Sequence, residues 1–340
     1  MLSCLNHINL IRYLIVWRVN GSLVFLPHFF SLDISNILGS IISNRLPTSE
    51  KKMWHKLLEP LNKIIEILNS KSNRPKTIQF PESPWPLNAV IFSYPQKRTF
   101  GRDELIFWEL KLFGEHADHG LFLEVILPAM EEASMTTNQK WNQRNRLWGR
   151  FDIENIFVAR GLKWEPLVTE GKLDVKYRAH PKQWLEKLIL APRMDNNFQK
   201  INWISPCDLN KNLPSFYALD LPDEKQKLKF IKAPPMSFIL HSLVQRITEI
   251  LSLENRKDVN IEDIMSQPER SAFLNIFRQS LRISILQKKL RKTPVSWPGI
   301  FFGWQQFSPI PKPIIPYLNI ASILHIGNNT HYGCGTFEIR

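Results

Sequence analysis

Residues 325–340 read HIGNNTHYGCGTFEIR and overlap the segment PYLNIASILHIG at 316–327. Glycine is scarce in this chain, 13 in 340 residues, yet Gly327, Gly333 and Gly335 fall within this one terminal stretch. Upstream, Leu318, Ala321, Ile323 and Leu324 recur at roughly helical spacing; downstream, Thr336-Phe337-Glu338-Ile339 alternates. The spacing predicts a helix, a glycine-bearing loop and a terminal strand. Such a loop lets backbone N–H groups approach an anion, because no Cβ stands in the way. The same glycines equally satisfy a tight turn, and both readings stand at this point.

Working back from the loop, KINWISPCDL (200–209) reads as a strand ending at Ser205-Pro206. PPMSFILHSLVQRITEILSL (234–253) is a helix, with Ile239, Leu243, Ile247 and Leu251 on one stripe behind Pro234-Pro235. A basic stretch follows, and VSWPGIFFGWQQF (295–307) reads as a glycine-containing hairpin. The order is β-α-β-β-α-β, the ferredoxin-like unit. The first half admits the same order with insertions. INLIRYLIVWRVNGSLVFLPHFF (8–30) reads as two buried strands around the hairpin dipeptide Asn20-Gly21, then SLDISNILGSIIS as a helix capped by Ser31 or Asp33. EKKMWHKLLEPLNKIIEILNS is a second helix, interrupted at Pro60, and a proline-rich connector follows. DELIFWELKLFG alternates Ile106, Trp108, Leu110 and Leu112 against Glu109 and Lys111, the pattern of a half-buried strand. A helix at LFLEVILPAMEEA, kinked or ended by Pro128, and strands at RFDIENIFVA and KLDVKY complete this half. The fold class is α+β, with two such domains in tandem.

Bulk properties restrict the function. The net charge of +13 and pI near 9.6 favour a polyanionic partner, nucleic acid before membrane. Hydrophobic content of 44% with 22% charged residues is that of a globular protein. Arg12, Arg18 and Asn20 break the N-terminal apolar run below the ~18 residues of a membrane span. Cys4, Cys207 and Cys334 lack CxxC spacing, which fits a reducing cytoplasm rather than a disulfide framework or zinc site. No Walker loop, GxSxG or dinucleotide fingerprint is present.

Several segments, in order, resemble the CRISPR-associated endoribonucleases that cut repeat RNA, members of the RAMP superfamily. LKLFGEHADHGLFLEVILPAMEEA is similar to the strand, Leu-x-Gly turn and helix that close the family's first half. WISPCDL, APPMSFILHSLVQRI, ISILQKK, PGIFFGW and LHIGNNTHYGCGTFEI resemble its second-half segments, the last its glycine-rich loop. Basic residues common in that loop are replaced here by Asn328 and Thr336. The resemblance implies two ferredoxin-like domains, which we divide at residues 1–197 and 198–340. It implies a cytoplasmic, cofactor-free enzyme whose partner is CRISPR repeat RNA or crRNA, together with other effector-complex subunits and no membrane. The alternative is a non-catalytic RAMP subunit that holds crRNA.

Candidate residues follow. From residue 270 to 292 the chain carries Arg270, Arg278, Arg282, Lys288, Lys289, Arg291 and Lys292 and no acid. Arg278 and Arg282 are spaced by one helical turn, with Phe273, Ile276, Phe277 and Leu281 as the expected buried side. Phosphates would neutralise such a face; a solvated surface is the plainer reading. Trp297, Phe301 and Trp304 are candidates to stack unpaired bases, or core. Gly327, Gly333 and Gly335 join the RNA-binding set. Metal-independent RNA cleavage needs a base for the 2′-OH, an acid for the leaving 5′-oxygen and a cation for the phosphate. Histidine suits the first two. The family's base is typically a His of the first domain, in or next to its first helix. His28, between the strand SLVFLP and the first helix, matches best; His55, with Lys52 and its neighbouring lysines, is the second candidate. EHADH (115–119) offers His116, Asp118 and His119 as metal ligands, but it lies in a turn without the one-face spacing of two-His motifs, and no metal is assigned.

Overall fold

The computed structural model describes residues 3–69, 78–136, 147–186, 188, 198–209, 233–255 and 265–340. The chain divides into two compact units, Asn9–Leu188 and Met1–Ile8 with Ile189–Arg340. The start of the proline-rich connector (residues 73–77) and much of the segment around the 197/198 boundary lie outside the described residues.

In the first unit, β1 (Leu10–Val19) is central, flanked on both edges by antiparallel β5 (Leu105–Phe113) and β6 (Phe151–Arg160). β3 (Ala89–Ser93), β7 (Lys163–Thr169) and β8 (Lys172–Leu173) extend it into a six-stranded sheet, ordered β3-β5-β1-β6-β7-β8. Because both edges of β1 are taken, Asn20-Gly21 makes no hairpin. The short β2 (Leu23–Phe25) pairs instead with β4 (Thr99–Gly101). KLDVKY contributes only two strand residues.

Helix α1 (Phe30–Arg45) follows β2. Phe29 is its N-cap and makes no side-chain cap bond, so neither Ser31 nor Asp33 caps it. Helix α2 (Thr48–Asn69) runs through Pro60 without interruption, burying Trp54, Leu58, Leu61 and Ile65 at helical spacing. The next helix has three consecutive parts: α3 (His119–Leu121), a π turn (Phe122–Ile126) and α4 (Leu127–Met135). Leu127 N–H bonds back to Phe122 O, so the ladder has already shifted register when Pro128, which has no N–H, arrives. Trp17, Trp108, Trp148, Phe30 and Phe151 form an aromatic centre between helices and sheet.

The other face of this sheet corrects the half-buried reading of β5. Glu109 and Lys111 are each 2% exposed. Arg12 Nε donates to Glu109 Oε1 at 2.7 Å, Tyr94 OH donates to Oε2 at 3.3 Å, and Lys111 Nζ lies 3.8 Å from Oε2. The Arg12 guanidinium also covers Trp164, 5.1 Å from its ring centroid. Burial alone would raise the Glu109 carboxyl, but Arg12 and Lys111 outweigh it and hold it below the usual carboxylate range.

In the second unit the sheet order is β10-β11-β9-β12, every neighbouring pair antiparallel: β9 (Lys200–Cys207), β10 (Ile285–Lys292), β11 (Phe301–Phe307) and β12 (Phe337–Ile339). Strand β9 runs through Ser205-Pro206 rather than ending there. Helices α5 (Met236–Asn255), α6 (Gln267–Ser280) and α7 (Ile315–Leu324) complete the unit. The expected hairpin is built differently. VSWPGIFFGWQQF supplies its turn and second strand, while the first strand, β10, comes from the basic stretch.

Glu109 gives a stability test. Removing its charge leaves Arg12 and Lys111 buried without their carboxylate, so Glu109→Gln is expected to cost about 3 kcal/mol at neutral pH. A depressed carboxylate contributes stability above its unfolded pKa and loses it as pH falls through the folded value. Urea titrations below about pH 4.5 should therefore show the wild-type advantage shrinking. An advantage that persists unchanged there would refute the ion network.

Candidate nucleic-acid interface

The basic segment folds into two elements. Ser266 and Glu269 form a capping box at the start of α6, with Pro268 in its first turn. Arg270 and Arg278 lie on this helix, which ends at Ser280. Arg282 therefore falls in the turn beyond it and does not continue a helical face with Arg278. Ile276 is buried, whereas Leu281 is 57% exposed and leaves the expected apolar side. Lys288, Lys289, Arg291 and Lys292 sit on β10, an edge strand exposed along both faces. Among the described residues, none of Arg278, Arg282, Lys288, Lys289, Arg291 and Lys292 forms an ion pair. Charged edge residues also block strand addition by other chains, which a basic edge achieves without any RNA.

The glycine loop is largely closed on itself. Gly335 N–H donates to Pro206 O at 2.8 Å, Gly333 N–H to Thr330 O at 2.8 Å, and Asn328 N–H to Asp208 O at 2.7 Å. Thr336 N–H donates to Ser205 Oγ at 3.1 Å, and the Asn328 side-chain amide to Asp208 Oδ2 at 3.1 Å. These N–H groups serve protein acceptors in the loop itself and at or just beyond the end of β9 rather than an external anion. Gly327 and Gly335 have φ of +87° and +81°, and a Cβ would collide with Asp208 O and Ile326 O respectively. The tight-turn reading accounts for these glycines.

In the first unit, His28 is exposed between β2 and α1. Arg98 Nη1 lies 2.8 Å from His28 Nε2, and Arg98 Nε donates to Leu26 O at 3.2 Å. A guanidinium only donates, so Nε2 is the acceptor in this contact. Sequence reasoning missed Arg98, which is 70 residues from His28; the β2–β4 pairing brings them together. His55 and Lys52 are both exposed on α2, three residues apart and so on neighbouring positions of one face.

The EHADH residues have structural work. Asn88 N–H donates to His116 Nδ1 at 3.2 Å, Asp118 caps α3 by accepting from Gly120 N–H at 2.8 Å, and His119 Nδ1 pairs with Tyr13 OH at 3.1 Å. Burial lowers the pKa of both imidazoles. Among the described residues no group of three or more His, Cys, Asp or Glu is placed to hold a metal ion. Cys4, Cys207 and Cys334 are free and buried, and burial raises their thiol pKa values. No described helix is long and apolar enough to cross a membrane.

The second unit thus combines an antiparallel sheet, a basic strand edge and a glycine loop whose N–H groups are bonded within the protein. Residues 204–337 match the family model of the CRISPR-associated endoribonuclease Cas6. Five of the six motif segments lie within that span or overlap its ends; the sixth belongs to the first half. Among solved structures, two Cas6-RT-Cas1–Cas2 complexes, one of them partial, each contain a chain similar to 98% of this one, at 11% identity and a TM-score of 0.53. The present chain spans only 46% and 29% of those chains. A Cas6 product complex is similar over 97% of this chain and 100% of its own, at 12% identity and a TM-score of 0.45. No curated protein matches the sequence.

The loop geometry is testable by substitution. Gly335→Ala places a methyl against Ile326 O in a left-handed backbone and is expected to destabilise the second unit by about 2–4 kcal/mol. Gly101→Ala, whose Cβ would meet nothing nearer than 3.8 Å, is expected to stay within about 1 kcal/mol of wild type in the same denaturation assay. Equal effects would show that the loop is not conformationally constrained.

Proposed function

We propose that the protein binds and cleaves CRISPR repeat RNA, acting in the cytoplasm on precursor crRNA. The observation that carries this reading is the Cas6 family match over residues 204–337, which takes in most of the motif segments. Both sheets support tandem ferredoxin-like domains. In the second unit the four strands lie in the order fourth-first-third-second. In the first, β1, β3, β5 and β6 have that same order, with β7 and β8 appended. The proposed division at 1–197 and 198–340 lies close to the boundary between the compact units at 188/189, which differ from it in grouping residues 1–8 with the second unit.

Cleavage needs no metal on this reading. Once Arg98 turns away from His28 Nε2, that nitrogen takes the proton from the 2′-OH upstream of the cut. The 2′-oxygen attacks phosphorus, the P–O5′ bond breaks, and the leaving 5′-oxygen takes a proton from water while the proton held on His28 returns to solvent. The products are a 2′,3′-cyclic phosphate and a 5′-OH. Arg98, beside the imidazole, is placed to shift its guanidinium onto the charge of the pentavalent phosphate. His55 with Lys52 is the second candidate for base and cation. Arg270, Arg278, Arg282, Lys288, Lys289, Arg291 and Lys292 hold the RNA backbone, while Gly327, Gly333 and Gly335 shape the loop beside it. Other CRISPR effector subunits are the expected protein partners. Internal consumption of the loop N–H groups favours the alternative of a crRNA-holding subunit without catalysis.

Purified protein is expected to cut its cognate repeat in EDTA, and a requirement for added divalent metal would overturn the mechanism. His28→Ala is expected to lower the cleavage rate about 10²–10⁴-fold with RNA affinity within a few-fold, since a base acts on the transition state. If His55→Ala abolishes cleavage and His28→Ala spares it, the base lies on α2. Tight binding with no cleavage of any repeat establishes the holding subunit.

A second measurement addresses binding. Arg278, Arg282, Lys288 and Lys289 changed together to Glu should weaken repeat binding and flatten its dependence on salt, because fewer counterions are released. An unchanged affinity and slope would return these residues to an ordinary solvated surface.

A further inference from the structure

Strand β11 alternates in burial except at Gly303, which is half-exposed with φ of +126°. Phe301, Gln305 and Phe307 are buried, with Phe301 edge-on to Trp203 and Gln305 Oε1 accepting from Trp203 Nε1 at 3.1 Å. Phe302, Trp304 and Gln306 are half-exposed on the opposite face. Cross-strand partners share a face, so the register assembles the rest of it. Phe302 is opposite Arg291, and Trp304 is opposite Lys289 on one side and Asn202 on the other. The Lys200 ammonium lies 4.3 Å from the Trp304 ring centroid, and the Trp297 ring is 5.6 Å from that of Phe302. Three cations and two strand-borne aromatic rings thus share this face. Its acidic residue, Glu338 on β12, is paired with Arg340 Nη2 at 2.8 Å.

We infer that this sheet face is a stacking platform for unpaired RNA bases, with Phe302 and Trp304 as the two ring positions. The inference rests on the RNA-binding reading above and adds to it a site for single-stranded nucleotides. Rings at i and i+2 of a strand lie about 6.6 Å apart, two steps of ~3.3 Å, a spacing that serves two splayed bases rather than a continuous stack. The sequence F-G-W-x-x-F at 302–307 agrees with the aromatic-Gly-aromatic-x-x-aromatic core that RNA-recognition motifs carry on the third strand of a four-stranded sheet. Strand β11 is the third strand of its sheet in chain order. The pattern departs upstream, where Ile300 and Phe301 replace the basic residue and glycine, and Phe301 turns into the core. Arg291 and Lys289 supply the missing cations from the neighbouring strand. Strand β9 carries Asn202 where a further ring would sit, so the platform holds two bases. A base landing on Trp304 meets a ring already associated with a cation, and Lys200 can pass from the ring to the adjoining phosphate. The charge decides between occupants, because an apolar protein segment would have to desolvate Lys200, Lys289 and Arg291 without compensation.

The test uses the full chain and an oligouridylate of about eight nucleotides, which forms no hairpin and contains no repeat. The double variant Phe302→Ala/Trp304→Ala is expected to bind it about 10- to 100-fold more weakly. The slope of affinity against salt should stay unchanged, since no charge is lost. Lys289→Ala/Arg291→Ala should instead reduce that slope by about 0.7 per cation. Trp304→Phe, which keeps a π face, should retain binding within a few-fold. If the alanine pair fails to fold, Phe302→Leu/Trp304→Leu replaces it: weakened binding supports the platform and unchanged affinity overturns it. Failure of the wild type to bind the oligouridylate also overturns it. The two readings separate cleanly. A protein that binds through these rings yet cuts no repeat sinks the nuclease reading alone, whereas one that cuts repeat RNA and ignores the rings sinks the platform alone.

Discussion

Gly335 donates its N–H to Pro206 O at 2.8 Å while its own carbonyl accepts from Ile326 N–H at 3.1 Å. Much of the second unit depends on that double bond. Pro206 has no N–H, so the end of β9 cannot carry an ordinary ladder. Ile204 N–H turns to Thr336 O at 3.1 Å, and Ser205 Oγ accepts from Thr336 N–H. The irregular strand end and the glycine loop therefore satisfy each other's backbone groups in a place where water has little access. This closure sets Phe337 opposite Trp203, whose rings pack at 5.1 Å, and so fixes where the core of the unit begins. A residue with a side chain at Gly335 could not make the closure, and the scarcity of glycine elsewhere in the chain agrees with that demand.

The second half was legible because its punctuation is strong. Pro234-Pro235 opens α5, the glycine cluster separates α7 from β12, and β9 and β12 fall where alternation places them. The basic stretch misled for a related reason. Between residues 270 and 292 there is neither Gly nor Pro, so nothing local marks where α6 stops and β10 starts, and the four-residue step from Arg278 to Arg282 mimics a continuing helix. In the first half the errors were of long range. Asn20-Gly21 is a hairpin signal in isolation, but β5 and β6 compete for the edges of β1 and win, since each contributes a long apolar strand. Glu109 and Lys111 have the periodicity of a solvent face. Only the arrival of Arg12 from β1 and of Tyr94 from just beyond β3 makes their burial tolerable, and no local rule reports such partners.

The candidate sites divide along the same line. The position of His28 follows from the order strand, turn, helix, which the sequence displays. Arg98 does not, since its approach depends on β2 pairing with a strand some 70 residues away. EHADH looked like a ligand set because ligand chemistry and turn chemistry use the same residues. An Asp that caps a helix and a His that accepts a backbone N–H need that composition as much as a metal does.

Strand periodicity decides the fate of the aromatic residues near the basic edge. Phe301 and Trp304 differ by three positions and fall on opposite faces, whereas Phe302 and Trp304 differ by two and pair with Arg291 and Lys289 of β10. Taken as one group, Trp297, Phe301 and Trp304 are ambiguous between core and ligand platform. Taken as a strand, they separate. Phe301 joins Trp203 in the interior, and Trp304 faces outward with Phe302 beneath the cations of β9 and β10. The same alternation that builds the core thus builds an opposite surface, and the basic charge supplied by the edge strand gives that surface a chemical preference. In this unit the loop contributes order and the sheet contributes the exposed rings and charges. RNA affinity is accordingly expected to track the sheet face more closely than the glycines, whose backbone groups are committed to holding the strands that present it.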